Sequence, residues 1–197
     1  MKILLTMLPY WDPLIPPQGI GRIKAYLEKH NHLVKTIDLN TVEDFKELYN
    51  KYFIYLKKIV PVEKRGNFFN IGHDVLQNHL MAHLNRKDEK EYYDIVNILL
   101  LKTYLTEANT SELIELSNVI HEFYIKLEKY FTDILEQFVP DVVGFSVLKT
   151  NIAPSIFVAG LVKSKLKDVK TLFGGGVFVD YLAMETPNYN AVLERTK

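Results

Sequence analysis

The chain has 197 residues, enough for one large domain or for one domain with an insertion. Apolar residues make up 48% of the chain and charged residues 24%, a globular composition that excludes intrinsic disorder as the main description. Basic and acidic residues number 24 each, which argues against a nucleic-acid-binding protein that depends on net charge. The absence of cysteine excludes disulfides, thiolate catalysis and cysteine-ligated clusters within this chain.

The sequence contains no signal for membrane insertion or export. No segment reaches 18 consecutive apolar residues, so no transmembrane helix is predicted. The N-terminal apolar run meets Pro9 and Asp12 too early for a signal peptide, and no small-residue cleavage site follows. We therefore expect a cytoplasmic protein.

The first 40 residues predict a strand, a loop, a helix and a second strand. Lys2–Leu8 is a continuous apolar run, typical of a strand that is buried on both faces. Three prolines between residues 10 and 18 predict an irregular loop, and a helix fits from about Gly19 to His30. The apolar face expected for this helix consists of Ile20, Ile23, Tyr26 and Leu27. His32–Asp38 reads as the second strand, so this region forms a right-handed βαβ unit.

The last 58 residues repeat the same order of elements. Val142–Ser146 is a short buried strand, and Ile152–Leu166 is a helix that tolerates Pro154 in its first turn. Val169–Phe173 is another strand, which ends at a run of three glycines. A last helical stretch is interrupted at Pro187.

The middle of the chain predicts helices. Between His73 and Val139 there are 67 residues without glycine or proline. A regular apolar stripe indicates one long helix, for which Asn109 and Glu112 supply a capping box. The predicted helices are Val42–Lys58, Asp74–Leu84, Glu89–Leu105 and Ser111–Phe138.

These elements predict an α/β fold, a flavodoxin-like or Rossmann-type doubly wound parallel sheet. Residues 1–40 and 140–197 would form the discontinuous α/β domain, and residues 41–139 an all-helical insertion after the second strand. A doubly wound sheet binds its ligand at the carboxyl ends of its strands. The proline-rich loop, the segment 146–151 and the three glycines all fall at that edge.

Two features at this edge could contact a ligand. The run Gly174–Gly176 lets a backbone approach a bulky molecule closely, although a tight turn that needs positive φ explains it as well. Ser146 ends a strand and offers a hydroxyl at the mouth of the sheet. Thr150 and Asn151 fit a turn or helix cap at least as well as a ligand contact.

The histidines do not predict a metal centre. His79 and His83 lie four residues apart on a predicted helix, a spacing that metal sites use. Their segment contains no glutamate that could act as a base, and no third ligand is evident. We therefore predict no metal site, and no catalytic residue in this chain.

Three stretches of the sequence resemble the N-terminal cobalamin-binding domain of cobalamin-dependent radical SAM enzymes. They are PPQGIGRIKAYLEKHNHLVKTIDLN, PDVVGFSVLKTN and TLFGGG. The first resembles the family's Pro-Pro-x-Gly segment, its helix and a strand ending in Asp. In the second and third, Ser146-Val147-Leu148 is followed after 25 residues by Gly174-Gly175, similar to the family's Ser-x-Leu and Gly-Gly.

This resemblance implies that the chain holds cobalamin by its nucleotide tail. In the family the serine lies against the dimethylbenzimidazole, and the glycines let the tail enter the sheet. The family's Asp-x-His-x-x-Gly motif is absent, so we expect base-off cobalamin without a protein histidine ligand. Tyr10, Trp11 and Leu148 are expected to shield one corrin face. The implied cofactor-binding residues are Pro9, Tyr10, Trp11, Pro17, Ser146, Val147, Leu148, Thr150, Gly174, Gly175 and Gly176.

The resemblance also implies a longer protein. Radical SAM chemistry needs three cysteines for a 4Fe-4S cluster, and this chain has none. We expect a non-catalytic fragment that lacks the fifth strand. S-adenosylmethionine and the cluster would lie in a missing C-terminal radical SAM domain that performs methyl transfer or related chemistry. The helical insertion is unusually long for the family. The alternative is a flavodoxin-like small-molecule or nucleotide sensor whose insertion binds a partner protein.

Overall fold

A computed structural model of the protein describes residues 1–10, 17–180, 182 and 186–196. The chain divides into two compact units, one formed by Met1–Glu43 with Leu127–Lys197 and the other by Asp44–Lys126. The first unit contains the sheet, and we call it the sheet unit. The second is built from helices, and we call it the helical unit. The assignment of residues 41–139 as an inserted subdomain stays a prediction.

The sheet unit contains four parallel strands, which confirms the predicted α/β class. The strands are β1 (Lys2–Met7), β2 (Leu33–Asp38), β3 (Val142–Ser146) and β4 (Lys170–Gly174). Their order is β2-β1-β3-β4, so β1 and β3 are central and β2 and β4 are edges among the described strands. Leu4 lies opposite Lys35 of β2 and Val143 of β3. This order is consistent with a flavodoxin-like fold.

Burial along the strands follows their positions. The apolar run of β1 is buried from Ile3 onward, as expected for a central parallel strand covered on both faces. In contrast, β4 alternates between half-buried and exposed residues. A core cluster packs on one face of the sheet, with Leu27 and Leu148 against its margin. The cluster consists of Ile3, Leu5, Met7, Ile20 and Val34.

The face predicted for the first helix is only partly correct. Helix α1 (Gln18–Lys29) buries Ile20, but Ile23 is 50% exposed and Tyr26 is 65% exposed. At 100° per residue, Ile20 and Leu27 nearly eclipse each other, whereas Tyr26 is turned about 100° from Leu27. The helix therefore contacts the core along a narrower stripe than its apolar residues suggest.

The other described helices are α2 (Glu43–Ile59), α3 (Phe68–Asn85), α4 (Glu89–Tyr104), α5 (Thr110–Phe138), α6 (Ile152–Lys165), α7 (Val177–Asp180) and α8 (Pro187–Thr196). Helices α2, α4, α5 and α6 lie within one residue of their predicted ranges, whereas α8 begins at Pro187, where the last helical stretch was expected to be interrupted. The capping box of α5 is confirmed, because Asn109 N–H donates to Glu112 and Glu112 N–H donates to Asn109 at 2.8 and 3.0 Å. None of the helices in the described residues is long and apolar enough to cross a membrane.

Helix α3 begins at Phe68, earlier than its predicted start at Asp74. The prediction differs from the structure at Gly72, which lies inside the helix although glycine usually disfavours helical structure. A Cβ atom at Gly72 would come within 2.6 Å of the Phe53 ring of α2. This glycine therefore permits close helix packing and does not end the helix.

Candidate functional site at the carboxyl edge of the sheet

The candidate site lies where β1 and β3 end side by side. The chain leaves β1 towards β2 on one side, and it leaves β3 towards β4 on the other. This reversal makes the β1/β3 boundary the topological switch point, where open α/β sheets bind their ligands. The residues that follow the two strands, Leu8 and Val147, are both buried.

Asn151 ties the two strand ends together. Its side-chain nitrogen donates to the Leu8 carbonyl at 3.2 Å and to the Ser146 carbonyl at 3.1 Å. Its side-chain oxygen accepts from Leu148 N–H at 2.8 Å. The residue is fully buried, so these bonds replace water at groups that would otherwise be unsatisfied. Asn151 therefore fixes the shape of the switch point.

The loop after β4 packs directly on the loop after β3. Val147 N–H donates to the Gly174 carbonyl at 2.6 Å, which carries the pairing past the end of the strands. Gly175 has φ +123°, and a Cβ there would lie 2.2 Å from the Val147 carbonyl oxygen. Glycine is thus required at 175 for contact between two loops of the protein itself. This contact accounts for Gly175 without a ligand.

The two neighbouring glycines are different. A Cβ at Gly174 would have nothing within 4 Å, and one at Gly176 would touch only Leu148, at 4.0 Å. Both residues are exposed. The space at their Cβ positions is therefore open to an approaching molecule, while their carbonyls accept from Val147 N–H and Val179 N–H.

One buried hydroxyl near the switch point lacks a partner among the described residues. The Thr150 oxygen is buried and has no hydrogen-bond partner there. Ser146 is half-buried at the end of β3, and its main-chain carbonyl is the group that Asn151 holds. Buried hydroxyls are normally hydrogen-bonded, so an unpaired one indicates a group that a ligand could satisfy.

The remaining predicted residues are distributed around this edge. Pro9 and Tyr10 are buried, so the Tyr10 ring does not form an exposed platform for a corrin face. Leu148 is half-buried against the core cluster. Pro17 precedes α1, and its carbonyl accepts from Gly21 N–H at 3.3 Å. Trp11 lies outside the described residues.

The histidine pair of the helical unit is held by protein groups. His79 is fully buried, with Tyr92 Oη 2.7 Å from its Nε2 and Tyr52 Oη 3.1 Å from its Nδ1. His83 stacks on Tyr124 with ring centres 5.1 Å apart. Among the described residues, no group of three or more His, Asp or Glu side chains is arranged to hold a metal ion.

Burial controls the protonation of this cluster. Desolvation, reinforced by His83, lowers the pKa of His79 to about 3. Desolvation also lowers the pKa of His83 to about 4, with smaller contributions from Arg86 and His121. Burial raises the pKa of Tyr92 to about 12. At neutral pH both histidines are therefore uncharged hydrogen-bonding groups inside the bundle.

Sequence reasoning did not find the role of Asn151. The residue directly precedes α6, so a turn or cap was the natural interpretation. One of its hydrogen-bond partners, the Leu8 carbonyl after β1, is 143 residues away in the sequence. Only the predicted adjacency of β1 and β3 could have suggested that contact.

Comparison with known proteins gives no match, since no protein-family model, curated protein sequence or solved structure is significantly similar to this chain.

Proposed function

We propose that the sheet unit binds cobalamin through its nucleotide tail at the carboxyl edge of the sheet. The observation that carries the proposal is the open space at the Cβ positions of Gly174 and Gly176 beside the switch point. The position agrees with the general rule for doubly wound sheets. The proposal rests on this geometry together with the sequence resemblance.

The chemistry of the edge suits a nucleotide tail. Such a tail combines a flat apolar base with a sugar and a phosphate that need hydrogen-bond partners. Gly174 and Gly176 would leave space for the base, while the unpaired Thr150 hydroxyl and the hydroxyl of Ser146 at the end of β3 would serve as polar partners. When bound, the cofactor would supply a cobalt centre for alkyl transfer. This chain's residues would hold and orient it.

The lower cobalt ligand would not be a protein imidazole. His30 and His32 follow α1, at the end of the sheet opposite to the candidate site, and the other four histidines lie at positions 73, 79, 83 and 121 in the helical unit. We therefore expect base-off cobalamin with water or no lower ligand. Electron paramagnetic resonance of the cob(II)alamin complex tests this. Nitrogen splitting from an imidazole that disappears in one His→Ala variant would contradict it.

The proposal extends to a full-length protein. There the sheet unit would present the corrin to a C-terminal radical SAM domain that holds the 4Fe-4S cluster and S-adenosylmethionine. Methyl transfer or a related radical reaction would follow in that domain. This chain has no cysteine with which to bind the cluster, and so it would be non-catalytic alone.

The strand order also favours a second candidate. Flavodoxin-like sheets bind flavin mononucleotide at the same β1/β3 switch point, so a nucleotide or small-molecule sensor fits the topology. Mixing the protein with hydroxocobalamin or with flavin mononucleotide separates the two functions. A shift of the cobalamin absorption bands and co-elution in gel filtration support the first function. Quenched flavin fluorescence without any cobalamin response would support the second.

A further inference from the structure

Helix α4 and its C-cap residue are apolar on two opposite sides. The inner side packs into the helical unit through four residues spaced four apart, none more than 5% exposed: Tyr92, Val96, Leu100 and Tyr104. The opposite side carries four apolar residues that are between 39% and 73% exposed: Ile95, Ile98, Leu101 and Leu105. At 100° per residue the two sets point in nearly opposite directions. A helix that is apolar all round is normally buried on every side, so this exposed set, the outer face, is suited to a partner.

Ile125 of α5 shows how an isolated exposed residue differs from the outer face. Its side chain is 53% exposed. The residues three and four positions away on its helix are all polar or charged: His121, Glu122, Glu128 and Lys129. Scattered apolar residues of this kind are ordinary on protein surfaces, whereas a contiguous apolar set marks an interaction site. The outer face of α4 is such a contiguous set.

The charges along α4 are divided between its two ends. Its first turn carries two glutamates, of which one is Glu91, and the nearby Lys90 is neutralised by Asp94 at 2.8 Å. Lys102 lies in the last turn, and Lys64 Nζ adds a second ammonium there by donating to the carbonyl of the C-cap residue at 2.5 Å. Glu91 and Lys102 are exposed, and neither has an ion-pair partner among the described residues. The helix is therefore complementary in charge to a copy of itself that runs in the opposite direction.

We propose that the outer face of α4 binds the outer face of a second copy of the chain, with the two helices antiparallel about a two-fold axis near Ile98. At 1.5 Å per residue, Glu91 lies about 10 Å before Ile98 along the helix and Lys102 lies about 6 Å after it. The two-fold axis therefore brings Glu91 of one copy beside the basic end of the other, and the same contact is made twice. Parallel helices would place like charges together, and the two glutamates would be repelled by an anionic membrane. The proposal does not depend on cobalamin.

Sedimentation equilibrium of the full chain tests the contact. The parent protein should show a reversible equilibrium between monomer and dimer. Ile98→Asp places a charge at the centre of the contact and should raise the dissociation constant of the dimer at least about tenfold. Ile125→Asp introduces the same charge at a similarly exposed position and should leave the dissociation constant unchanged. Circular dichroism checks that both variants fold.

Charge reversal tests the antiparallel direction of the two helices. Glu91→Lys and Lys102→Glu should each raise the dissociation constant about fivefold, because each change places like charges together. The double variant inverts the charge at both ends of the helix and should recover most of the affinity that either single variant loses. Variants that merely destabilised α4 would not compensate for each other.

Crosslinking completes the test, because the chain has no cysteine and one introduced cysteine is therefore the only thiol. Oxidation should link two chains of the Ile98→Cys variant through a disulfide. It should not link those of Leu105→Cys, whose two copies would lie about 20 Å apart.

Four results would overturn the proposal. They are a parent that stays monomeric up to about 0.5 mM, a dimer that Ile98→Asp does not weaken, a double charge variant that recovers no affinity, and equal crosslinking of the two cysteine variants. Binding of a monomeric parent to phosphatidylserine vesicles, lost in Ile98→Asp, would assign the outer face to a membrane and overturn the proposal equally.

Discussion

Two buried polar sites, His79 in the helical unit and the switch point in the sheet unit, differ in how completely their polar groups are hydrogen-bonded. In the helical unit, each ring nitrogen of the buried His79 has a tyrosine hydroxyl within hydrogen-bond distance. In the sheet unit, Asn151 is equally buried and bonded, but the neighbouring Thr150 hydroxyl has no partner among the described residues. Gly174 and Gly176 nearby leave open space at their Cβ positions.

The contrast separates residues whose polar groups stabilise the fold from residues whose polar groups are left for a ligand. A closed network such as that around His79 stabilises one arrangement of side chains and leaves no donor for a ligand. A sheet edge whose backbone is held in place but whose polar groups are unpaired can accept a ligand. The glycines differ in the same way at their side-chain positions, because a Cβ at Gly175 would collide with Val147 whereas one at Gly174 would have nothing within 4 Å.

The largest effect is expected from Gly175→Ala, which tests the contact between Gly175 and the Val147 backbone. The new Cβ would meet the Val147 backbone, and the residue would have to keep φ +123°. We expect the free energy of unfolding to fall by roughly 3 kcal/mol. Gly174→Ala, at an open position, should change it by less than about 0.5 kcal/mol. Urea unfolding followed by circular dichroism measures both, and equal losses would contradict this division of the glycines.

Asn151→Ala tests the side-chain hydrogen bonds that join the ends of β1 and β3 at the switch point. The change leaves the Leu148 N–H and the Leu8 carbonyl without their present partner. A loss of about 2 kcal/mol in unfolding free energy is expected. Asn78→Ala is the control, because Asn78 is exposed and its side chain donates to the Asp74 carbonyl of its own helix. If both variants lose the same unfolding free energy, the Asn151 hydrogen bonds do not stabilise the switch point more than an exposed helix contact does.

His79 makes the stability of the chain depend on pH. Its pKa is about 3 when folded and about 6.5 when unfolded, so below pH 6.5 the unfolded chain binds a proton that the folded chain does not. Stability therefore falls as the pH decreases from 6.5 towards 3. Between pH 7 and pH 5, His79 should contribute about 2 kcal/mol of this loss.

The variant His79→Gln should reduce the slope of unfolding free energy against pH in that range. His30→Gln removes an exposed histidine and serves as the control. Urea midpoints at half-unit pH intervals provide the measurement. A slope that His79→Gln leaves unchanged would show that this histidine is not the buried neutral group described here.

Much of the fold followed from the sequence, because local patterns determine local elements. The range of β3 was predicted without error, and the capping box of Asn109 and Glu112 is present. Parallel pairing followed from alternating strands and helices. The exposed Ile23 of α1 was mispredicted, since helical periodicity identifies apolar residues but not what covers them.

The site was predictable in position but not in its parts. The glycine run after β4 marked the edge, yet the sequence could not show that Gly175 is pressed against Val147 while Gly174 is open. That distinction depends on the path of two loops that are distant in the chain. For the same reason the cofactor-binding roles of Ser146, Thr150 and Gly174 stay predictions.

The most direct test of the account is equilibrium dialysis of hydroxocobalamin against three proteins: the parent, Gly174→Leu and Gly160→Leu. Gly160 is a matched control, since it is also exposed with nothing within 4 Å of its Cβ position, but it lies on α6. The account predicts that the parent and Gly160→Leu bind cobalamin with equal affinity. Gly174→Leu should bind it at least about tenfold more weakly. A parent that does not bind cobalamin, or a Gly174→Leu protein that folds and binds as the parent does, would contradict it.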